Sequence, residues 1–566
     1  MAIITISCSE ITKLTDLDVG QVLATLSEIG MPCNEKNDEL FVEITPNRPD
    51  LFSIEGIARA LNSYHGKKQY TYNAKKSDFY VKRDSSVGVL RPYIVAAVVK
   101  NININEDLLK SLMQLQEKLH ETVGRKRKKV AIGVHDFDRI EFPLVYKFVN
   151  TERFAPLDFD IEMDVAEILE KHPKGRAYAH LIYDKCRQQD NDKHDRYDAR
   201  GIRNDCPMIY PMIYDQKGVV SFPPIINCER TRVNEKTKNL LIESTGTHIK
   251  TLWRVLNIIV CALADRGGEI YEVDVDGEIY PKLAPIKKPI NFDTINKVLG
   301  KRFDKKQILD YLTKMGWQHN GKANALIPAY RLDVMHDVDV IEDVAIAHGY
   351  NNFAPCLPDF FTPGSLSTWH KMHQQINQAM VGMGFIEVVN YSLTHEDARG
   401  NGRGNVYKEA HEDMRKNVRE DVCKEAVVPL KILNPKTEEF TVIRTSVIKS
   451  LLNNLALNKT HELPIKIFEI GHVYNNGEKT NFAFAISAQS LDFSTIRGVF
   501  QSISNVLERN FVLKKSQNKY FISNRSADIY LKDSVCGCIG EIAPEILETF
   551  GIENPVCMCE ITLDGI

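Results

Sequence analysis

Apolar residues recur at helical spacing in two distant stretches of the chain, and each time the same succession of turn, strand and helix follows. In the first stretch Val22, Leu23, Leu26 and Ile29 mark a helix face and Gly30-Met31 ends it. A strand pattern over 40–44 comes next, then Pro46-x-Arg48-x-Asp50, then Glu55-Gly56-Ile57-Ala58 opening a second helix. In the second stretch the helix carries Ile308, Leu309, Leu312 and Met315, followed by Gly316-Trp317, Pro328, Arg331-x-Asp333 and Glu342-Asp343-Val344-Ala345. The spacing predicts one small helix-strand-helix module used twice, over 18–62 and 304–350.

The copies differ in charge. A helix over 338–347 places Asp339, Glu342 and Asp343 at i, i+3 and i+4, with Asp333 on the turn before. The first copy has Gly56 where the second has Asp343, and no acid matching Asp339, so the module folds without these carboxylates. Oxygen-only donors suit a hard cation such as magnesium rather than zinc. A solvated helix face, with Val338, Ile341 and Val344 buried behind it, accounts for the same spacing, and the pattern leaves both readings open.

Between the copies, about 86–280, short β patterns alternate with turn signals. A basic run over 125–129 reads as a solvated loop or an RNA-backbone contact; the strand pattern over 130–136 that follows delivers His135 and Asp136 to its end. His172-Pro173-Lys174-Gly175 precedes a polar stretch over 184–204 that reads as a surface insertion. Further on come Pro223-Pro224-Ile225-Ile226-Asn227, Thr231-Arg232-Val233 and Ile242-Glu243-Ser244-Thr245-Gly246-Thr247. Asn227, Glu243, Thr245 and Thr247 are the kind of polar groups with which a pocket recognises hydroxyls and amines. A proline-rich loop beside an amphipathic strand is the plainer explanation. Asp274-Val275-Asp276-Gly277 lacks the later ligands of a calcium loop and reads as a strand turning at Gly277.

From about 360 the pattern is α+β. A helix over 369–381 is stopped by Gly382 and Gly384, and a strand over 385–393 follows. Asn434-Pro435, Arg444-Thr445-Ser446, a helix over 447–457 and Phe468-Glu469-Ile470-Gly471 come later. There is no phosphate-binding Gly-x-x-x-x-Gly-Lys-Ser/Thr, and the glycine run 400–404 sits in a charged stretch that reads as a second insertion, over 396–424.

Composition narrows the class. A chain of 566 residues with net charge −3 and 43% hydrophobic residues is a soluble multidomain protein, not one that coats nucleic acid indiscriminately. The first residues lack a signal-peptide pattern, and the densest apolar run, 252–264, is too short to span a bilayer, so a cytoplasmic protein without a membrane segment is expected. The twelve cysteines include no Cys-x-x-Cys and read as reduced core thiols, with Cys536/Cys538 and Cys557/Cys559 as same-face strand positions.

In order along the chain, Asn47-Arg48-Pro49-Asp50-Leu51, Pro223 to Asn227 with Thr245-Gly246-Thr247, the acidic helix ending in Gly349-Tyr350, Asn434-Pro435 with Arg444-Thr445-Ser446, Phe468 to Gly471 and Ile539-Gly540-Glu541-Ile542-x-Pro544-Glu545 closely resemble the phenylalanine–tRNA ligase β-subunit family of archaeal and eukaryotic type. The resemblance covers nearly the whole chain and implies an α+β multidomain architecture. Its parts are an N-terminal module over 1–85, a mixed-β editing domain (B3/B4-like) over 86–280, a small helical winged-helix-like module with the acidic helix (B5-like) over 281–355, and over 360–566 an antiparallel-sheet domain of class II synthetase type without a working active site. It implies further that the chain joins an α subunit in an α2β2 tetramer that attaches phenylalanine to tRNA(Phe) with ATP, the synthetic site lying in α, so no residue here is assigned to aminoacylation. The middle region would hydrolyse mischarged Tyr-tRNA, with Glu243 accepting the tyrosine hydroxyl and Asn227, Thr245 and Thr247 as further pocket groups. Asp333, Asp339, Glu342 and Asp343 would form a magnesium site shared with α. A free-standing hydrolase of mischarged tRNA and a purely structural RNA-binding subunit are the alternatives; a synthetase-type partner chain that co-purifies separates them.

Overall fold

The two sequence echoes fold alike, and the likeness is longer than the sequence shows. In the computed structural model, which describes residues 2–88, 90–187, 209–319, 324–358, 362–395, 429–437 and 439–565, each copy is a three-stranded antiparallel sheet with three helices. The first copy runs strand Ala2–Ser7, helices Cys8–Thr15 and Val19–Glu28, strands Cys33–Lys36 and Glu39–Ile44, then helix Ile54–Tyr64. The second runs strand Ile286–Pro289, helices Phe292–Leu299 and Lys305–Lys314, strands Gln318–His319 and Asn324–Ile327, then helix Asp337–His348. In both, the last strand sits in the middle of the sheet. Even the caps repeat: Asp18 with Gln21, and Asp304 with Gln307, form capping boxes, and Gly30 and Gly316 end those helices at φ +81° and +84°. The leading strand and helix escape the sequence comparison because Ala2–Ser7 and Ile286–Pro289 share little beyond extended backbone.

Each copy carries a forked arginine-carboxylate pair after its middle strand, Arg48 with Asp50 (3.0 and 2.9 Å) and Arg331 with Asp333 (2.8 and 2.7 Å). Only the second adds another carboxylate, Asp343, which accepts from Arg331 Nη2 at 3.0 Å and from the indole of Trp317 at 2.6 Å. The first copy replaces both partners of that bond together, with Met31 for the tryptophan and Gly56 for the aspartate. Gly56 is needed there because a Cβ would lie 1.9 Å from the carbonyl oxygen of Asp50. Asp343 follows Arg331 by twelve residues whereas Gly56 follows Arg48 by eight, and the longer connection makes room for the side chain. The acidic helix buries Val340, Ile341 and Val344, while Val338, expected inside, is exposed.

Between the copies, a four-stranded antiparallel sheet, Glu269–Tyr271, Tyr93–Lys100, Leu240–Gly246 and Val130–Asp136 in that order, shares one apolar core with the first copy and with a seven-stranded sheet. Helix Ile249–Asp265 packs on its two central strands, which explains why Leu240–Gly246 is buried throughout. The turn expected at Gly277 joins Val273–Val275 to Glu278–Tyr280, with Asp276 and Gly277 both left-handed. The expected insertions 184–204 and 396–424 and the glycine run 400–404 lie outside the described residues, apart from 184–187 at the end of helix His180–Arg187.

Residues 1–357 and 358–566 are two compact units. The second is a seven-stranded sheet ordered Ile386–Glu387, Ile465–Tyr474, Glu478–Ser487, Val556–Thr562, Ser534–Ile542, Phe521–Leu531, Phe511–Lys515, antiparallel except for its first pair. Alternation along Glu478–Ser487 sends Phe482, Phe484 and Ile486 to a core with helices Thr368–Gly382 and Phe493–Val506, and Ala483 and Ala485 to one with Ile448–Leu457 and Pro544–Phe550. The strand expected over 385–393 is interrupted. Asn390 binds Glu469 through both its backbone and its amide nitrogen, drawing the chain off the ladder between Ile386–Glu387 and Leu393–Thr394. Glu469 also pairs with the buried Arg444 at 2.8 Å, and a Cβ at Gly471 would lie 2.1 Å from that arginine, so these motif residues form a buried brace. The cysteines described are free. Cys557 and Cys559 share a face, but Cys536 and Cys538 do not, because the register slips beside Cys536 and leaves it as a bulge residue. Among the described residues no helix is long and apolar enough to cross a membrane.

Candidate functional site

One cavity of about 320 Å³ opens in the middle region, within the range that small ligands occupy. Its walls come from four places: the helix Glu106–Glu121, the strand Val130–Asp136, the loop 223–227 and the strand Leu240–Gly246. Apolar side chains such as Leu112, Ile132 and Ile225 make most of the surface. The polar groups at its lining include Glu243, Ser221, Asn227, Arg127 and Lys174.

Glu243 stands directly opposite Gly133 in the sheet, and its carboxylate occupies the space where a side chain on Gly133 would be: a Cβ there would fall 2.2 Å from Oε1. Only 2% of Glu243 is exposed. Oε1 accepts from Ser221 Oγ at 3.5 Å and lies 3.8 Å from His135 Nε2, while the buried Oε2 has no hydrogen-bond partner among the described residues. An unpaired buried carboxylate oxygen is an expensive thing for a fold to keep, and a hydroxyl arriving from a ligand would satisfy it. His135 is itself fully buried, with Nδ1 on Thr231 Oγ1 at 2.9 Å.

The other expected pocket residues divide. Asn227 lines the cavity, but its amide is engaged at both ends, donating to Val134 O at 3.2 Å and accepting from Ser221 Oγ at 3.1 Å. Thr245 lies outside the cavity wall. Arg91 covers that part of the strand face, its Nε on Thr245 Oγ1 at 2.8 Å and its Nη2 on the Thr245 carbonyl at 2.6 Å. Burial pulls the Arg91 guanidinium down to about 10. Thr247, past the strand's end, is exposed and also does not line the cavity. Ser221, Arg127 and Lys174 were not singled out by pattern; Arg127 lay inside a basic run that reads as a solvated loop. Three consecutive left-handed residues, Arg125, Lys126 and Arg127, turn that run so that Arg127 points inward and is buried while its neighbours face solvent.

The four carboxylates of the acidic module have separate duties. Asp333 spends both oxygens on Arg331. Asp343 is buried against Arg331 and Trp317. Asp339 Oδ2 accepts the backbone N–H groups of Met335 and His336 at 2.7 and 2.6 Å, closing the start of its own helix. Glu342 is exposed. Asp333, Glu342 and Asp343 border one polar cleft of about 810 Å³ between the two copies, yet among the described residues no three carboxylate, histidine or cysteine side chains converge as a metal cage. In this arrangement the donor chemistry suits magnesium but the donor positions do not.

Comparison with known proteins places these features. Residues 289–350 match the tRNA synthetase B5 domain and residues 356–563 the phenylalanyl tRNA synthetase beta chain CLM domain. The chain is 38% identical to the phenylalanine–tRNA ligase beta subunit of Archaeoglobus fulgidus, over 100% of this chain and 98% of that one, and 35% identical to that of Methanocorpusculum labreanum, over 100% and 99%. The crystal structure of an N-terminal fragment of the phenylalanyl-tRNA synthetase beta subunit from Pyrococcus horikoshii superposes with a TM-score of 0.54 at 36% identity, covering 61% of this chain and 99% of the fragment. Matched along its whole length at this identity, the chain belongs to the phenylalanine–tRNA ligase β-subunit family.

Proposed function

We propose that this β subunit joins an α subunit in an α2β2 assembly that works in the cytoplasm, attaches phenylalanine to tRNA(Phe) with ATP in α, and hydrolyses mischarged Tyr-tRNA in the cavity beside Glu243. The observation that carries the editing half is the unpaired, buried Oε2 of Glu243 on the lining of an otherwise largely apolar cavity. Phenylalanine leaves that oxygen unsatisfied, whereas tyrosine brings a hydroxyl to it, and a site built around such a bond separates the two amino acids far better than an apolar pocket does. A bond to a charged acceptor is also the stronger kind. The surrounding wall supplies shape; no side-chain nucleophile is invoked, and water attacks the ester. The C-terminal unit fits a class II synthetase-type sheet without synthetic chemistry, since Arg444 and Glu469 are spent on each other. Co-expression with a synthetase-type α chain tests the assembly: the expected result is a stoichiometric complex that charges tRNA(Phe) and releases tyrosine from Tyr-tRNA. Charging without any release of tyrosine would leave the ligase role standing and remove the editing one.

A magnesium ion shared with α would need donors from that chain, because Asp333 and Asp343 are held by Arg331. Glu342 and the remaining oxygen of Asp339 are what this chain offers outward. Glu342→Gln is therefore expected to weaken assembly with α at low magnesium while leaving the helix cap and the cavity as they are. Assembly titrated against magnesium by size-exclusion chromatography checks this, and an unchanged midpoint rejects the shared ion.

A further inference from the structure

Arg127 has no place in the reading of Glu243, yet it lines the same cavity and is 6% exposed. Its guanidinium is used unevenly. Nη1 donates to the carbonyls of Pro224 (3.2 Å) and Ile225 (3.0 Å), and Nη2 donates to Glu117 Oε1 at 3.1 Å. The ring of Tyr178 lies 4.4 Å away. The main chain is fixed as well: the Arg127 carbonyl accepts from Arg91 Nη1 at 3.2 Å, and Arg91 in turn grips Thr245. After all this, Nε is buried and has no hydrogen-bond partner among the described residues. Arg232, the other arginine on the wall, is by contrast ion-paired to both Asp158 and Glu229.

The cavity is thus lined by two residues with unsatisfied buried atoms of opposite kind, an acceptor on Glu243 and a donor on Arg127. A ligand that satisfies both carries a hydroxyl at one end and an oxygen acceptor at the other. We infer that Arg127 is a catalytic residue of the editing reaction, its Nε–H receiving the carbonyl oxygen of the aminoacyl ester while Glu243 receives the phenol. This rests on the editing reading above and adds the residue that acts at the reacting bond. Water oxygen adds to the ester carbon and the carbonyl π pair moves onto oxygen, where the fixed N–H and the arginine's charge stabilise it. Collapse of that intermediate breaks the carbon–oxygen bond to the ribose, and the water's proton passes to the ribose oxygen, leaving free tyrosine and intact tRNA. The donor needs no reorganisation, because the other guanidinium nitrogens hold it to the wall.

The test uses the full assembly with α and compares deacylation of Tyr-tRNA with that of Phe-tRNA. Arg127→Lys keeps the charge and removes the fixed Nε–H; it is expected to lower kcat for both esters by roughly a hundredfold and to leave the ratio between them unchanged, as befits a group acting on the bond both share. Glu243→Ala should move the ratio instead. Unchanged kcat in Arg127→Lys, or a changed ratio, overturns the proposal. Should the lysine variant melt early, a structure of the wild-type assembly with a stable tyrosyl-adenosine analogue, amide in place of ester, decides: the analogue's carbonyl oxygen is expected within hydrogen-bonding distance of Arg127 Nε, and any other seat for it overturns the assignment. A wild-type assembly that releases no tyrosine is a different result, for it removes the editing reading itself.

Discussion

Glu243→Ala, assembled with the α partner, is expected to lose release of tyrosine from Tyr-tRNA by about a hundredfold or more, with phenylalanine charging unaltered. The magnitude follows from a hydrogen bond to a charged group, worth on the order of 2 to 3 kcal/mol once both partners are out of water. Such a bond is available because Oε2 is buried and otherwise unpaired. The same loss is expected from a change that leaves the carboxylate in the sequence: Gly133→Ala puts a methyl 2.2 Å from Oε1 and 2.7 Å from His135 Nε2, so the carboxylate must leave its position. Gly133 faces Glu243 across two paired strands, and the sheet cannot open to make room without losing the ladder. Deacylation of Tyr-tRNA and aminoacylation with phenylalanine, measured on the same preparations, give the comparison. Full Tyr-tRNA hydrolysis in both variants would remove Glu243 from the site, whereas a joint loss of charging would point to a damaged fold instead.

What the sequence revealed and what it hid have physical reasons. The repeat was legible where it is made of local rules: apolar spacing, a cap, a glycine at positive φ, an Arg-x-Asp turn. Its leading strand and helix were not, since a strand of four to six residues whose neighbour is far along the chain carries too little local signal. Glu243 was legible as a carboxylate in an apolar strand between two turn signals. Thr245 and Thr247 share its alternation and for that reason looked equivalent, but a period of two says which face a residue is on and nothing about what covers that face. Arg91, more than 150 residues from Thr245, covers it. Arg127 was hidden for the opposite reason. Four of five residues over 125–129 do face solvent to some degree, and only the succession of left-handed residues turns the fifth inward, a conformation no charge pattern announces. The acidic helix shows the limit most plainly. Spacing put three carboxylates together, and the fold assigns one to an arginine and a tryptophan, one to its own helix start, and one to solvent.

That assignment makes Arg331 the charge on which the second copy depends, and Arg331→Met is expected to destabilise the N-terminal unit by about 3 to 5 kcal/mol at neutral pH. Methionine restores much of the volume, so the effect isolates charge: Asp333 and Asp343 would be left side by side, nearly buried, with no cation between them. The pH dependence separates this from simple loss of packing. Burial pushes the Asp333 carboxyl up, but Arg331 outweighs it with charge and hydrogen bonds, and the group titrates below its ordinary value. A folded-state value below the unfolded one stabilises the fold above the unfolded pKa of about 4, and that contribution is lost as the pH falls through the folded value. Without the arginine the two carboxylates favour the protonated form, so the variant gains relative to the wild type as the pH falls toward 4. Urea denaturation at pH 7 and at pH 4.5 should therefore show a large gap between the two proteins that narrows in acid. The first copy supplies the internal control, because Arg48 holds only Asp50 and faces Gly56 where Arg331 faces Asp343; Arg48→Met is expected to show a smaller gap. Equal gaps for the two arginines, or one for Arg331 that ignores pH, would mean that the second carboxylate adds nothing and that Asp343 is retained for something other than this pair.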